Sequence, residues 1–166
     1  MNESNVRHDI YKMLQTYGYW PLHSRDAIIC PNCHRPVVSF EQGRPDLLVL
    51  SPTWRTAVIE VKAVNLEHAK SFAFADIKPE QRRWLDAWKE AGGYGFIAIG
   101  TVGTTKRQIW IIDWLDWLGL ETLAGQAGKK SVSIDRLTAD YSVYELERIT
   151  GGWRFATIHS LVPPEN

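Results

Sequence analysis

Residues 43–62, GRPDLLVLSPTWRTAVIEVK, place three ionisable side chains inside what is otherwise the apolar pattern of a β-hairpin. Leu47 to Leu50 and Ala57 to Val61 are short runs suited to a pleated surface, and Ser51-Pro52-Thr53 between them is a turn signal. Asp46 opens the first strand, and Glu60 and Lys62 sit on the second. Side chains two apart on a strand share a face, so Glu60 and Lys62 point the same way while Val61 enters the opposite layer. Pairing around the turn brings Asp46 beside them. Two carboxylates held together are unfavourable unless a cation neutralises them. Hard oxygen donors with places left for water suit Mg2+, and such an ion holds a phosphate and activates a water. Lys62 is placed to polarise that water or to stabilise charge on a phosphoryl oxygen. The plain alternative is a surface hairpin whose Glu60 and Lys62 face solvent.

The flanking sequence supplies the layers such a hairpin needs. Val6, Ile10, Met13, Leu14 and Tyr17 recur at helical spacing, Asn2 or Ser4 is placed to cap the start, and Gly18 ends the run. Glu3 lies one turn before Val6, on the inward side of that stripe. A second helix is bracketed by Pro79 and by Gly92-Gly93, with Trp84, Leu85 and Trp88 on its apolar side and Gln81 one turn earlier. Gly95 to Ile99 then reads as a strand, and strand, helix, strand in that order predicts a right-handed crossover. Further on, Gln108 to Ile112 reads as a strand and Asp113 as the cap of a helix beginning at Trp114. Trp110, Trp114 and Trp117 are expected in the core, the alternative being a dimer contact or a platform for unpaired bases. After a loop at 125–130, the segments Ser131 to Ile134, Val143 to Ile149 and Trp153 to Ile158 read as antiparallel strands. The 166 residues suffice for one domain, with a core at about 1–112 and a helix-plus-β extension at 113–166 that carries no assignable motif.

Pro45-Asp46, followed after thirteen residues by Glu60-Val61-Lys62, resembles the signature of PD-(D/E)XK nucleases. Ile77-Lys78-Pro79-Glu80-Gln81, a tryptophan-bearing helix and Ala91-Gly92-Gly93 resemble the segment after the catalytic lysine in Holliday junction resolvases of the RecU type and in VRR-type nucleases. The resemblance implies an α/β domain with a mixed β-sheet flanked by helices. It implies that Asp46, Glu60 and the main-chain carbonyl of Val61 hold Mg2+ or Mn2+, and that an acid early in the first helix, Glu3 with Asp9 in reserve, completes the site. Helix-dipole compensation is the competing role for Glu3. Gln81 would support the metal or its water, or serve only as a cap. The implied reaction is DNA cleavage leaving a 5′-phosphate, most specifically on four-way junctions by a homodimer, in a prokaryotic or phage setting. A VRR-like repair or restriction-type enzyme, and a non-catalytic DNA-binding protein on the same scaffold, are the alternatives.

Cys30-Pro31-Asn32-Cys33-His34 has zinc-knuckle spacing, but these are the chain's only two cysteines. A Zn2+ site would need His23, His34 or His8, or ligands from a second subunit, and a bare pair of reduced thiols or a redox pair are the alternatives. Formal net charge is +0, so DNA binding calls for a local basic face. Arg25, Arg35 and Arg44 before the catalytic strand, and Lys70, Lys78, Arg82, Arg83 and Lys89 after it, with Phe72 and Phe74 interleaved, are the candidates; solvated surface charge is the ordinary alternative. His68 reads as a loop residue. With no membrane-length apolar stretch and no leader pattern, the expected location is the cytoplasm.

Overall fold

The computed structural model of the protein describes residues 2–23, 28–29, 36–38, 44–50, 56–103, 108–139, 143–150 and 152–155. Helix α1 spans Glu3–Thr16. Its Val6, Ile10, Met13 and Leu14 are buried, as the periodicity requires, whereas Tyr17 falls past the helix end and is largely exposed. Asn2 occupies the N-cap without a side-chain cap bond. Gly18 takes a left-handed φ of 79°, the conformation that reverses a chain after its last helical turn.

The strands β1 (Trp20–His23), β4 (Leu47–Leu50), β5 (Thr56–Asn65), β7 (Tyr94–Val102), β8 (Ile109–Asp113), β10 (Val143–Ile149) and β11 (Gly152–Phe155) form one seven-stranded sheet in that spatial order. Short ribbons pair β2 (Ile28–Ile29) with β3 (Pro36–Val38), and β6 (Ser71–Ala73) with β9 (Ser131–Ser133). The hairpin is present as β4 against β5, antiparallel with Leu47 opposite Ile59, while residues 51–53 of its turn lie outside the described residues. Strand β5 runs beyond the expected Val61 to Asn65 because it is also the parallel partner of β7 along its length. Helix α2 (Pro79–Glu90) provides the crossover between those parallel strands, and α3 (Trp114–Gln126) follows β8.

Alternation along the strands divides the interior into two layers. Val6, Ile10, Met13 and Leu14 pack with Leu47, Val49, Ile59, Val61, Phe96 and Ile111 on one face, and Leu146 of β10 and Trp153 of β11 join the same cluster. On the other face Val58, Val64, Ile97, Ile99 and Ile112 pack against Leu85, Trp114 and Trp117. All three tryptophans at 110, 114 and 117 are buried, which removes the dimer or base-stacking alternative for them.

The expected C-terminal antiparallel strands are present, β10 pairing with β8 and β11 with β10, and they extend the main sheet. Two expectations need correction. Ile134 opens α4 (Ile134–Ala139) instead of ending a strand: Ser133 Oγ accepts a hydrogen bond from Arg136 N at 3.2 Å, a hydroxyl cap that turns the chain into a helix. Helix α3 continues through Gly125 to Gln126, and the reversal comes at Gly128, whose φ is 69°.

Gly100 of β7 fixes how closely α1 approaches the sheet. A Cβ there would lie 2.5 Å from Val6 Cγ1, so only glycine lets the helix seat. Gly100→Ala is expected to destabilise the protein by about 1–3 kcal/mol through overpacking, measured as a lowered urea midpoint with an unchanged slope.

Candidate active site

Asp46 lies one step outside the Leu47 to Ile59 pair, and continuing that register sets it level with Glu60 on β5. Its carboxylate turns toward β5, where Oδ2 accepts from Val61 N at 3.0 Å. Glu60 sits on the same face as Val58 and Val64, beneath α2, and is 1% exposed. Few sites expose a carboxylate so little without pairing it. Two donors meet Glu60 Oε1: Lys62 Nζ at 2.7 Å, and Gln81 Nε2 from the first turn of α2. Its other oxygen, Oε2, is buried and has no hydrogen-bond partner.

Those surroundings raise the Glu60 pKa to about 7, chiefly through burial and next through the Asp46 charge, with Lys62 opposing and Glu3 adding to the rise. The carboxylate is therefore short of positive charge even with Lys62 in contact. Among the described residues no three His, Cys, Asp or Glu side chains gather into a metal-holding group, so Glu3 acts on Glu60 electrostatically without closing a three-acid cluster. Exposed on the first turn of α1, it sits off the inward stripe where it was expected.

The donor set fits a hard divalent ion. It offers carboxylate oxygens on neighbouring strands, one of them buried and unpartnered, in a place where added positive charge lowers the free energy. Gln81 holds two posts at once: its Oε1 accepts from Lys78 N at 2.8 Å in the α2 capping box while its amide nitrogen donates to Glu60. The capping and site-supporting roles are thus one arrangement, carried by a single side chain in the first turn of α2.

Arg7 is the participant that sequence reasoning missed. From α1 its Nη1 donates to Asp46 Oδ1 at 2.6 Å. No neighbour in the sequence signals it, because its partner Asp46 lies 39 positions away.

The expected DNA contacts divide. Lys70, Lys78 and Arg83 are exposed. Arg82, expected at that surface, is instead a fastener: it donates to Glu121 Oε2 at 2.7 Å and Oε1 at 3.1 Å, and to the carbonyls of Phe74 and Ile77 at 2.8 and 3.1 Å. That ties the start of α2 to α3 and to the 3-10 turn Phe74–Asp76. Phe72 and Phe74, expected among exposed bases, are buried against Trp117. Lys89 pairs with Asp113 at 3.4 Å. Arg44 lies over the ring of the half-buried Trp84, 4.9 Å from its centroid. Exposed His68 is a loop residue, as expected. Cys30, Cys33, His34, Arg25 and Arg35 lie outside the described residues.

Residues 23–100 match the family model described as the VRR-NUC domain, a nuclease family of the PD-(D/E)XK kind. The match contains Asp46, Glu60, Lys62 and Gln81 and leaves out α1 and everything from β8 onward, a narrower span than the expected 1–112. No curated protein matches the chain.

Because its folded pKa is raised, Glu60 binds a proton in the native state that the unfolded chain has released between its ordinary value of 4.5 and about 7. Its contribution to stability is present below pH 4.5 and is lost as pH rises through 7. In chelator, the urea midpoint is expected to drop between pH 5 and 8, with a shallower drop in Glu60→Gln, and Mg2+ is expected to restore stability at pH 8 in the wild type only.

Proposed function

Because residues 23–100 carry a VRR-NUC domain, we propose that the protein is a metal-dependent endonuclease that cleaves branched DNA, with the four-way junction as its preferred substrate. The observation that supports this reading best is the convergence of Asp46 and Glu60 around a buried carboxylate oxygen with no partner. Asp46 and Glu60 would hold Mg2+ or Mn2+, with the main-chain carbonyl of Val61 as a further donor and Glu3 adding only the field of its charge. When bound, the ion supplies Lewis-acid stabilisation of the phosphoryl oxygens and a water of lowered pKa.

The chain's own residues do the rest. Gln81 and Lys62 both hold Glu60 Oε1, which fixes the carboxylate and leaves the buried Oε2 without a partner. The Lys62 ammonium, on the same strand face, is placed to donate to the attacking water or to a phosphate oxygen as charge builds there. In-line attack would break the bond to the 3′ oxygen and leave a 5′-phosphate. Exposed Lys70, Lys78 and Arg83 beside α2 offer contacts to the flanking backbone. Selection would be by DNA shape, and a two-fold homodimer would place paired cuts on a junction. The same reading places the protein in the cytoplasm of a prokaryotic or phage-infected cell.

The VRR-NUC match itself favours a second reading, a repair or restriction-type nuclease acting on flaps, ends or duplex with the same catalytic residues. A panel of labelled junctions, flaps and linear duplexes separates the two. Cleavage of a synthetic four-way junction is expected with Mg2+ and absent in chelator, and Asp46→Ala or Lys62→Ala is expected to reduce it by about 10²–10⁴-fold with junction binding largely kept. Undiminished cleavage by Asp46→Ala refutes the assignment. Junction binding without any cleavage points to a non-catalytic DNA-binding protein.

A further inference from the structure

The four carboxylate oxygens of the site are unequally engaged. Glu60 Oε1 accepts from Lys62 and Gln81, and Glu60 Oε2 from nothing. Asp46 Oδ2 faces the strand backbone, where it accepts from Val61 N at 3.0 Å. Asp46 Oδ1 accepts from Arg7 Nη1 at 2.6 Å. Each oxygen keeps a second lone pair, but Oδ2 is engaged by the sheet backbone, so Oδ1 is the more accessible donor for an ion held by both acids. Oδ1 is also the oxygen that Arg7 holds.

A guanidinium and a divalent ion at one oxygen repel each other. Lysine or histidine in that position could relieve the repulsion by losing a proton, but arginine cannot within any pH the fold survives. Relief must come from movement. The parts that could move are unequal: Val61 N is fixed in the sheet, and α1 is seated against Gly100 through Val6. The Arg7 side chain is 20% exposed on a flexible stem, so it has solvent to swing into. A guanidinium displaced to the rim presents a planar fork that matches a phosphate.

We propose that Arg7 is an exchangeable counter-ion: divalent-ion binding releases it from Asp46, and it then grips a phosphate of the DNA strand, which couples ion binding to DNA binding. This rests on the metal-dependent nuclease reading above. It also adds a positioning residue from α1, outside the residues that match the family model. By linkage, DNA that captures the guanidinium tightens the ion by the same factor as the ion tightens DNA.

The test is calorimetric titration of Mn2+ into the full-length, DNA-free protein, for wild type, Arg7→Gln and Arg7→Lys, with junction-cleavage kinetics run alongside. Arg7→Gln lacks the competing charge and is expected to bind Mn2+ about fivefold or more tightly than wild type, while its KM for DNA rises by a similar factor. Arg7→Lys keeps the charge without the fork, so it is expected to hold Mn2+ within about twofold of wild type and still to show a raised KM. A residue that merely braced the fold would give weaker Mn2+ binding, a lower Tm and an unmoved KM in Arg7→Gln. Mn2+ affinity that is unchanged or weaker in folded Arg7→Gln overturns the proposal and leaves the nuclease reading intact. Wild-type protein that binds no Mn2+ overturns both. If Arg7→Gln does not fold, Arg7→Lys decides, and a wild-type KM in that variant overturns the proposal.

Discussion

Asp46 and Glu60 repel one another across two neighbouring strands, and the register of β4 on β5 gives them no way to separate. Slipping the pairing by one residue would turn Leu47 and Val49 out of the core that α1 covers. Burial sharpens the repulsion, because Glu60 has almost no access to water that could screen it. The fold answers with donors from three directions: Lys62 from the same strand, Gln81 from α2 and Arg7 from α1. Even so, one oxygen of Glu60 stays unpartnered and its pKa stays near 7. A site that remains short of positive charge after three donors is one that gains from a cation.

The two helices that bring those donors are held by features remote from the chemistry. Gly100 admits α1 to the sheet, and Arg82 ties the first turn of α2 to Glu121 of α3. The part of the chain beyond the family match thus positions Gln81 indirectly, since α3 and its glutamate belong to it. Likewise α1, ahead of that match, supplies Arg7 and the charge of Glu3. The extension that carried no motif in the sequence earns its place through packing: β10 closes onto β8 and contributes Leu146 to the α1 core.

What the sequence showed and what it hid follow from the range of the interactions. Period-2 and period-3.6 patterns are local, so the hairpin, α1, α2 and the Asp113 cap could be read from neighbours alone. Glu60 and Lys62 were legible because two residues on one strand share a face whatever the fold does. Arg82 was misplaced because a free surface cation and a half-buried fastener look alike until Glu121, 39 positions away, is seen to meet it. Phe72 and Phe74 were misread for the same reason, their partner Trp117 lying on a later helix. Arg7 escaped notice because nothing near it in the chain announces Asp46. Helix α4 was lost to a single hydroxyl cap that a strand pattern overrode.

The central claim is that a destabilised carboxylate at Glu60 awaits a divalent ion. Carboxyl-carbon NMR of the glutamates, followed through a pH titration with and without Mg2+, measures that directly. The account predicts a Glu60 midpoint near 7 in chelator, moving well down when Mg2+ is added. An ordinary glutamate midpoint in chelator that Mg2+ leaves in place would contradict it.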